Sequence, residues 1–348
     1  MTQMLSLDAH PEVVTPAAAS ANGAPPAPVL LAVDANAIVL AGPDPHAQAQ
    51  EAIALAAELA HVVPAPQVGM GPALPLLDRD LSILAFNERV LSWAERKDVP
   101  LVERLRYLCI VSSNLDEWFE VRSAPHVAVA QTGEERDSYT RTRFAALMDK
   151  AQALVAQQYQ IYNQALIPAF HTHGIRLISH GERNAAQRRW VHEYFLREVQ
   201  PLLVPVGLDP SHPFPQVANK ALNFIVCLDG VDAFGRANEV AIVKVPRALP
   251  RLIPMPQKIA GKQRLFVSIS SIVRAHLAEL FPGREVTEFS QFRVTRNSDL
   301  AVDEEDVINL RMALRQGLHH RHYGQAVRLE VSASCSAVLA NVLLQQHG

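Results

Sequence analysis

No lysine or arginine occurs before Arg79. Residues 1–78 hold seven acids, Asp8, Glu12, Asp34, Asp44, Glu51, Glu58 and Asp78, and so carry a charge of −7. Everything after them holds all 32 bases against the other 28 of the 35 acids. Two stretches with such different charge follow different rules. The leader, residues 1–75, is rich in alanine, proline and valine, as in Pro16–Val29 and His61–Pro75. A secretory signal needs a basic n-region and a transit peptide needs arginines, and the leader has neither. Its apolar run from Val29 to Ala41 is interrupted by Asp34 and Asn36, well short of the ~20 residues of a membrane span. Ala47–Ala60 has the composition of one alanine-rich helix, which is marginal in water without neighbours. The expectation is a disordered N-terminal extension over 1–75.

Past residue 76 the apolar spacing changes. Leu81, Leu84, Val90 and Leu91 share a helical face that Asp80 is placed to cap. Pro100 opens a second helix carrying Leu101, Leu105, Leu108, Leu115 and Phe119. After a turn at Gly133, a long third helix runs from Phe144 to Phe170 and ends at Gly174, a residue suited to a left-handed cap. Residues 76–180 therefore read as a helical bundle. Residues 181–348 mix a helix at Asn184–Gln200 with β-rich runs from Leu222, Glu239, Arg264 and Phe289. Further helical stretches lie at Ser271–Phe281, Asp303–Gln316 and Ala333–Gln346. Strict βαβ alternation is missing, so the fold class predicted is α+β: a helical bundle followed by an α+β domain with an antiparallel sheet.

No phosphate-loop, dinucleotide, zinc-protease or nucleophile-elbow signature occurs. Near-balanced charge, 32 bases against 35 acids, argues against a generic polyanion-coating protein. Cys109, Cys227 and Cys335 are odd in number and lie far apart, which reads as buried thiols in a reducing cytoplasm rather than a disulfide framework or zinc site. The densest polar run is Ser112-Ser113-Asn114-Leu115-Asp116-Glu117. Such residues compete for backbone hydrogen bonds inside helices. The run is either a helix break with a new cap, or an amide and hydroxyls offered to a ligand such as a nucleobase edge. His319-His320-Arg321-His322 reads as a helix C-terminus, with a phosphate-facing basic patch as the alternative. Phe292 to Asp299 is either a half-exposed strand ending in a turn, or a strand whose arginines grip phosphate oxygens.

Four blocks taken together resemble the type 1 polyphosphate kinases: Asp80–Leu91, Val99–Arg122, Leu208–Phe224 and Gln291–Glu305, in the family's order. The resemblance covers the chain from about residue 76 onward. It implies an enzyme that moves the terminal phosphoryl group of ATP, reversibly, onto polyphosphate. It also implies four domains, of which this chain matches the helical N-terminal domain and the head domain. The family's adenine-contacting asparagine maps onto Asn114. Ile83 and Trp118 stand where the family usually has Trp and Phe.

The family's phosphorylated histidine and its magnesium-binding groups lie in the two C-terminal domains, of phospholipase-D-like fold. None of the 14 histidines here is followed at +2 by lysine. The expectation is therefore part of a nucleoside site, no catalytic residue and no metal ligand, with magnesium held by the half that is absent. The chain is expected to be a truncated N-terminal part, inactive alone. Its partners would be ATP, polyphosphate and either a second copy, through head-domain dimer contacts, or the missing half. Two other readings stand beside it: a non-catalytic protein pairing with an intact kinase, or a polyphosphate-binding module using Arg293, Arg296 and the His319–His322 patch.

Overall fold

The computed structural model describes residues 29–33, 77–136, 139–209, 213–231, 239–298 and 324–347, the first of these by backbone alone. Apart from 29–33, the leader lies outside the described residues, as do the predicted helix at 303–316 and the patch at 319–322. The architecture is α+β, as predicted. Strand β1, Val29–Val33, comes from the apolar run of the leader. Then follow helices α1 (Arg79–Glu95), α2 (Leu101–Val121) and α3 (Ala124–Thr132). Helix α4 (Arg141–Gln160) continues through a π-helical turn, Ile161–Leu166, into α5 (Ile167–Thr172). Gly174 has φ 71°, the left-handed value that its place after the long helix predicts.

Asp78, rather than Asp80, caps α1, its carboxylate accepting from the Leu81 amide at 2.9 Å. Asp80 lies inside the first turn, where it accepts from buried His126 at 3.0 Å and from Arg143 at 3.3 Å. A carboxylate that staples α1 to α3 and α4 is not free to cap. Leu84 and Leu91 of α1 pack with Leu108, Val111, Leu115 and Phe119 of α2 and with Leu147, Ala151 and Leu154 of α4. Each large apolar side chain so buried contributes roughly 1.5–3 kcal/mol.

The second part begins with β2 (Ile175–Leu177) and α6 (Ala185–Tyr194), which extends through tighter and wider turns to Leu202. Asn184 and Gln187 form a reciprocal capping box at its start. Next come β3 (Val204–Gly207), β4 (Asn223–Asp229), β5 (Val240–Lys244), β6 (Leu252–Pro254), the short α7 (Gln257–Ala260) and β7 (Arg264–Ser268). Helix α8 (Ile269–Ala275) leads through a 3₁₀ turn, Leu277–Leu280, to the long strand β8 (Glu285–Arg296). Strand β9 (Ala326–Ser332) and α9 (Ala337–His347) complete the described chain.

The main sheet has the order β1-β9-β8-β4-β5-β3, antiparallel except for the parallel edge pair β1–β9. A small sheet, β2-β7-β6, lies beside it. One face of the main sheet packs Ile225, Ile242, Phe292 and Leu329 against Leu339 and Leu343 of α9. The opposite face packs Phe224, Val226 and Val243 against Val191 and Phe195 of α6 and Ile272 of α8. On that second face the chemistry changes towards β8 and β9. There Arg293, Arg328 and Glu330 replace apolar residues, and α2 covers them. Among the described residues no helix is long and apolar enough to cross a membrane.

Candidate functional site

Helix α2 runs unbroken through the Ser112–Glu117 cluster, so of the two readings of that run the helix break is the one the structure sets aside. Ser112 and Asn114 are engaged by other helices rather than by their own backbone. Gln158 of α4 donates to the Ser112 hydroxyl and to the Leu108 carbonyl. Asn114 donates to Oδ1 of Asn87 on α1 at 3.2 Å, and buried Asn87 donates to the Val111 carbonyl at 3.0 Å. Those partners remove the competition that would open a helix at this composition.

At 100° per residue, Val111, Leu115, Trp118 and Phe119 form the buried stripe of α2. Asn114 and Ile110 lie on one flank of it, one turn apart, and Asp116 and Glu120 lie on the other. The Asp116 flank is anchored in the sheet. Both terminal nitrogens of Arg293 reach the Asp116 carboxylate at 2.9 Å, and its Nε donates to Glu330 at 2.6 Å. Arg328 reaches Asp116 at 3.3 Å and Glu330 at 2.9 Å, with its guanidinium 4.6 Å from the ring centre of Phe119. Arg293 and Glu330 are direct cross-strand partners in the β8–β9 register. The cluster is neutral, two carboxylates against two guanidiniums.

Burial opposes the charge on Arg293, but Asp116 and Glu330 outweigh it and hold the guanidinium above its ordinary range. Burial, with Glu330 adding to it, raises the phenol of Tyr159 beside the cluster and keeps it neutral. Removing one partner from a buried network of this kind costs about 3–5 kcal/mol.

A second anchor lies one turn along. Glu120 accepts from Asn219 and, at 2.8 Å, from Lys220, and its backbone carbonyl accepts from Ser298 at 2.9 Å. Lys220 has φ 56°, uncommon for a side chain of its size. Asn219 also receives the Arg296 amide at 2.9 Å. Two carboxylates four residues apart thus fix α2 to β8, β9 and the loop before β4.

The sequence-predicted residues divide accordingly. Asn114 is half-buried at the outer flank of α2. Its Oδ1 and second amide hydrogen have no partner among the described residues. Arg293 is committed to Asp116 and Glu330 through all three guanidinium nitrogens, which corrects its reading as a phosphate grip. Arg296 faces inward too, donating to the Gly324 carbonyl at 2.9 Å. Asp116 and Glu120 on the same helix are paired with cations and make a poor donor set for magnesium. Arg328 and Glu330 escaped the sequence reading. Their signal was the alternation of Val327, Leu329 and Val331 with charged residues in Ala326–Ser332, a half-buried strand pattern. Every residue of that strand is buried, because α2 covers its charged face.

Comparison with known proteins places this geometry. A helical domain is ion-paired onto an α+β domain, and each part matches a family model. Residues 76–178 match the polyphosphate kinase N-terminal domain, and residues 186–348 match the polyphosphate kinase middle domain. The chain belongs to the polyphosphate kinase family. It is 49% identical over 275 residues to the polyphosphate kinase of Neisseria meningitidis serogroup B, which covers 78% of this chain and 40% of the relative. It is 47% identical over 283 residues to that of Burkholderia vietnamiensis, with 80% and 41% covered. The crystal structure of polyphosphate kinase from Porphyromonas gingivalis superposes with a TM-score of 0.57 at 31% identity, over 66% of this chain and 34% of that one. The chain thus spans about two fifths of the length of the curated relatives it matches.

Proposed function

We propose that this chain is the nucleoside-binding and assembly part of a polyphosphate kinase, an enzyme that reversibly transfers the terminal phosphate of ATP onto inorganic polyphosphate. The observation that carries the reading is the state of Asn114. One amide hydrogen goes to Asn87, which fixes the side chain, while among the described residues its oxygen and second amide hydrogen meet no partner. That pair of groups matches the edge of adenine, which offers an amino donor next to a ring-nitrogen acceptor. Ile110, one turn earlier on the same face, and Phe86, next to Asn87, are 39% and 51% exposed. They supply apolar surface of the kind a base plane covers.

In this reading the residues of the chain bind and orient, and none acts as nucleophile. Phosphoryl transfer rests on positioning and on charge stabilisation around an in-line transition state. The cations of the described site face inward to Asp116, Glu120 and Glu330, so those groups hold the helix and leave the phosphates to other segments. Magnesium travels with ATP and takes its ligands outside this site. Contacts with a second copy, or with the remaining length of the family's chain, belong to the same proposal.

The test is equilibrium binding of ATP to the purified chain and to Asn114→Ala. A loss of one paired hydrogen-bonding contact at a base edge is expected to cost about 1–3 kcal/mol in affinity. Equal affinity of the two proteins for ATP would refute the assignment.

A further inference from the structure

Away from α2, in the middle domain, two histidines and a glutamate converge where α6 meets the 3₁₀ turn after α8. His192 lies on α6, His276 stands at the junction of α8 and the turn, and Glu279 lies within it. One ligand atom from each lies within 4.8 Å of the other two. The His192 Nδ1 to Glu279 Oε1 distance is 3.5 Å, and the two imidazoles lie 5.3 Å apart at 28°. None of the three takes part in the nucleoside-facing site.

His276 is prepared for ligation. Its Nδ1 lies 2.8 Å from the Ile272 carbonyl, a bond that requires the proton on Nδ1 and leaves the lone pair on Nε2. The ring lies against Phe195, centroids 4.4 Å apart and planes 10° from parallel, so its orientation is fixed. A backbone carbonyl behind the ligating imidazole is the usual orienting partner at protein metal sites. Burial also holds His276 below the ordinary histidine pKa, which keeps the imidazole neutral near pH 7.

The other two side chains are 46% and 39% exposed. A tetrahedral ion with bonds of about 2.0–2.1 Å needs ligand atoms roughly 3.3 Å apart. With His276 already placed, closing that gap calls for His192 and Glu279 to turn towards its Nε2. Two imidazoles and a carboxylate suit zinc-class divalent ions rather than magnesium, which prefers oxygen donors. Three protein ligands leave a fourth position for water. Arg183, whose charge bears on His276, and His180 nearby oppose a cation and moderate its affinity.

We propose that His192, His276 and Glu279 form a binding site for a zinc-class transition-metal ion that staples α6 to the turn after α8. The test uses the full chain, stripped with chelator and titrated with zinc by calorimetry and with cobalt(II) by visible absorption. One ion per chain is expected, with the intense absorption of tetrahedral cobalt. His192→Gln and Glu279→Gln, both at exposed positions, are each expected to weaken zinc by at least about tenfold while the far-ultraviolet circular dichroism stays unchanged. Because His319, His320 and His322 are a second cluster of imidazoles, the triple glutamine variant there is the control and is expected to keep the site. Zinc binding that is absent, that is unaltered in His192→Gln and Glu279→Gln, or that vanishes in the triple variant overturns the proposal.

Discussion

Arg293 on β8 and Asp116 on α2 meet fork to fork, two parallel hydrogen bonds of 2.9 Å joining residues 177 positions apart. Asp116 is two residues from Asn114, so the position of the proposed base contact is set from the other domain. The arrangement makes the network, rather than the bundle alone, responsible for where Asn114 stands.

Double-mutant analysis tests that coupling. Asp116→Ala and Arg293→Ala are each expected to destabilise the chain by about 3–5 kcal/mol, since each leaves the buried four-group cluster with one unbalanced charge. The double variant is expected to cost less than the two losses combined, by about 0.5–3 kcal/mol. Denaturant midpoints of the four proteins give the answer, and strict additivity would contradict a direct pairing.

Acid sensitivity follows from His347. Burial against Phe214, whose ring centre is 5.1 Å away, pushes its pKa down from 6.5 to about 4. The unfolded chain binds the proton at the higher value and the folded chain only at the lower one. Stability is therefore complete above 6.5 and is lost as the pH falls towards 4. His276, also lowered chiefly by burial, acts with the same sign. Replacing His347 with Phe is expected to reduce the loss between those two pH values, read as denaturant midpoints against the unsubstituted chain. Identical pH profiles would show that the ring is not held neutral.

Much of this fold was legible where one period governs a segment. The 3–4 spacing of Leu147, Ala151 and Leu154 and the left-handed Gly174 located the long helix and its end. Strands β4, β5 and β7 stood out as continuous apolar runs between proline-rich connectors. What local reasoning missed is long-range polar pairing. Ser112, Asn114 and Asp116 leave a helix break open only while their partners, Gln158, Asn87 and Arg293, are unknown. Asp80 looked like a cap because nothing local shows that His126 and Arg143 claim it. The proposal for Asn114 draws on resemblance to a family, whereas the committed state of Arg293 required the structure.

Division of labour gives a further prediction. Supplied with labelled ATP, the purified chain is expected to form neither polyphosphate nor a phosphohistidine. Adding the C-terminal part of a polyphosphate kinase relative as a separate chain is expected to give synthesis, with Asn114→Ala raising KM for ATP. Polyphosphate made by the chain alone, free of contaminating kinase, would show that these residues contain the covalent chemistry.

The most direct test of the base contact is the side-chain amide resonance of Asn114, observed in asparagine-labelled protein by nuclear magnetic resonance. Addition of ATP or AMP is expected to shift that resonance, because both carry adenine, while pyrophosphate and polyphosphate leave it in place. A resonance that ignores both nucleotides, or that responds equally to pyrophosphate, would contradict the account.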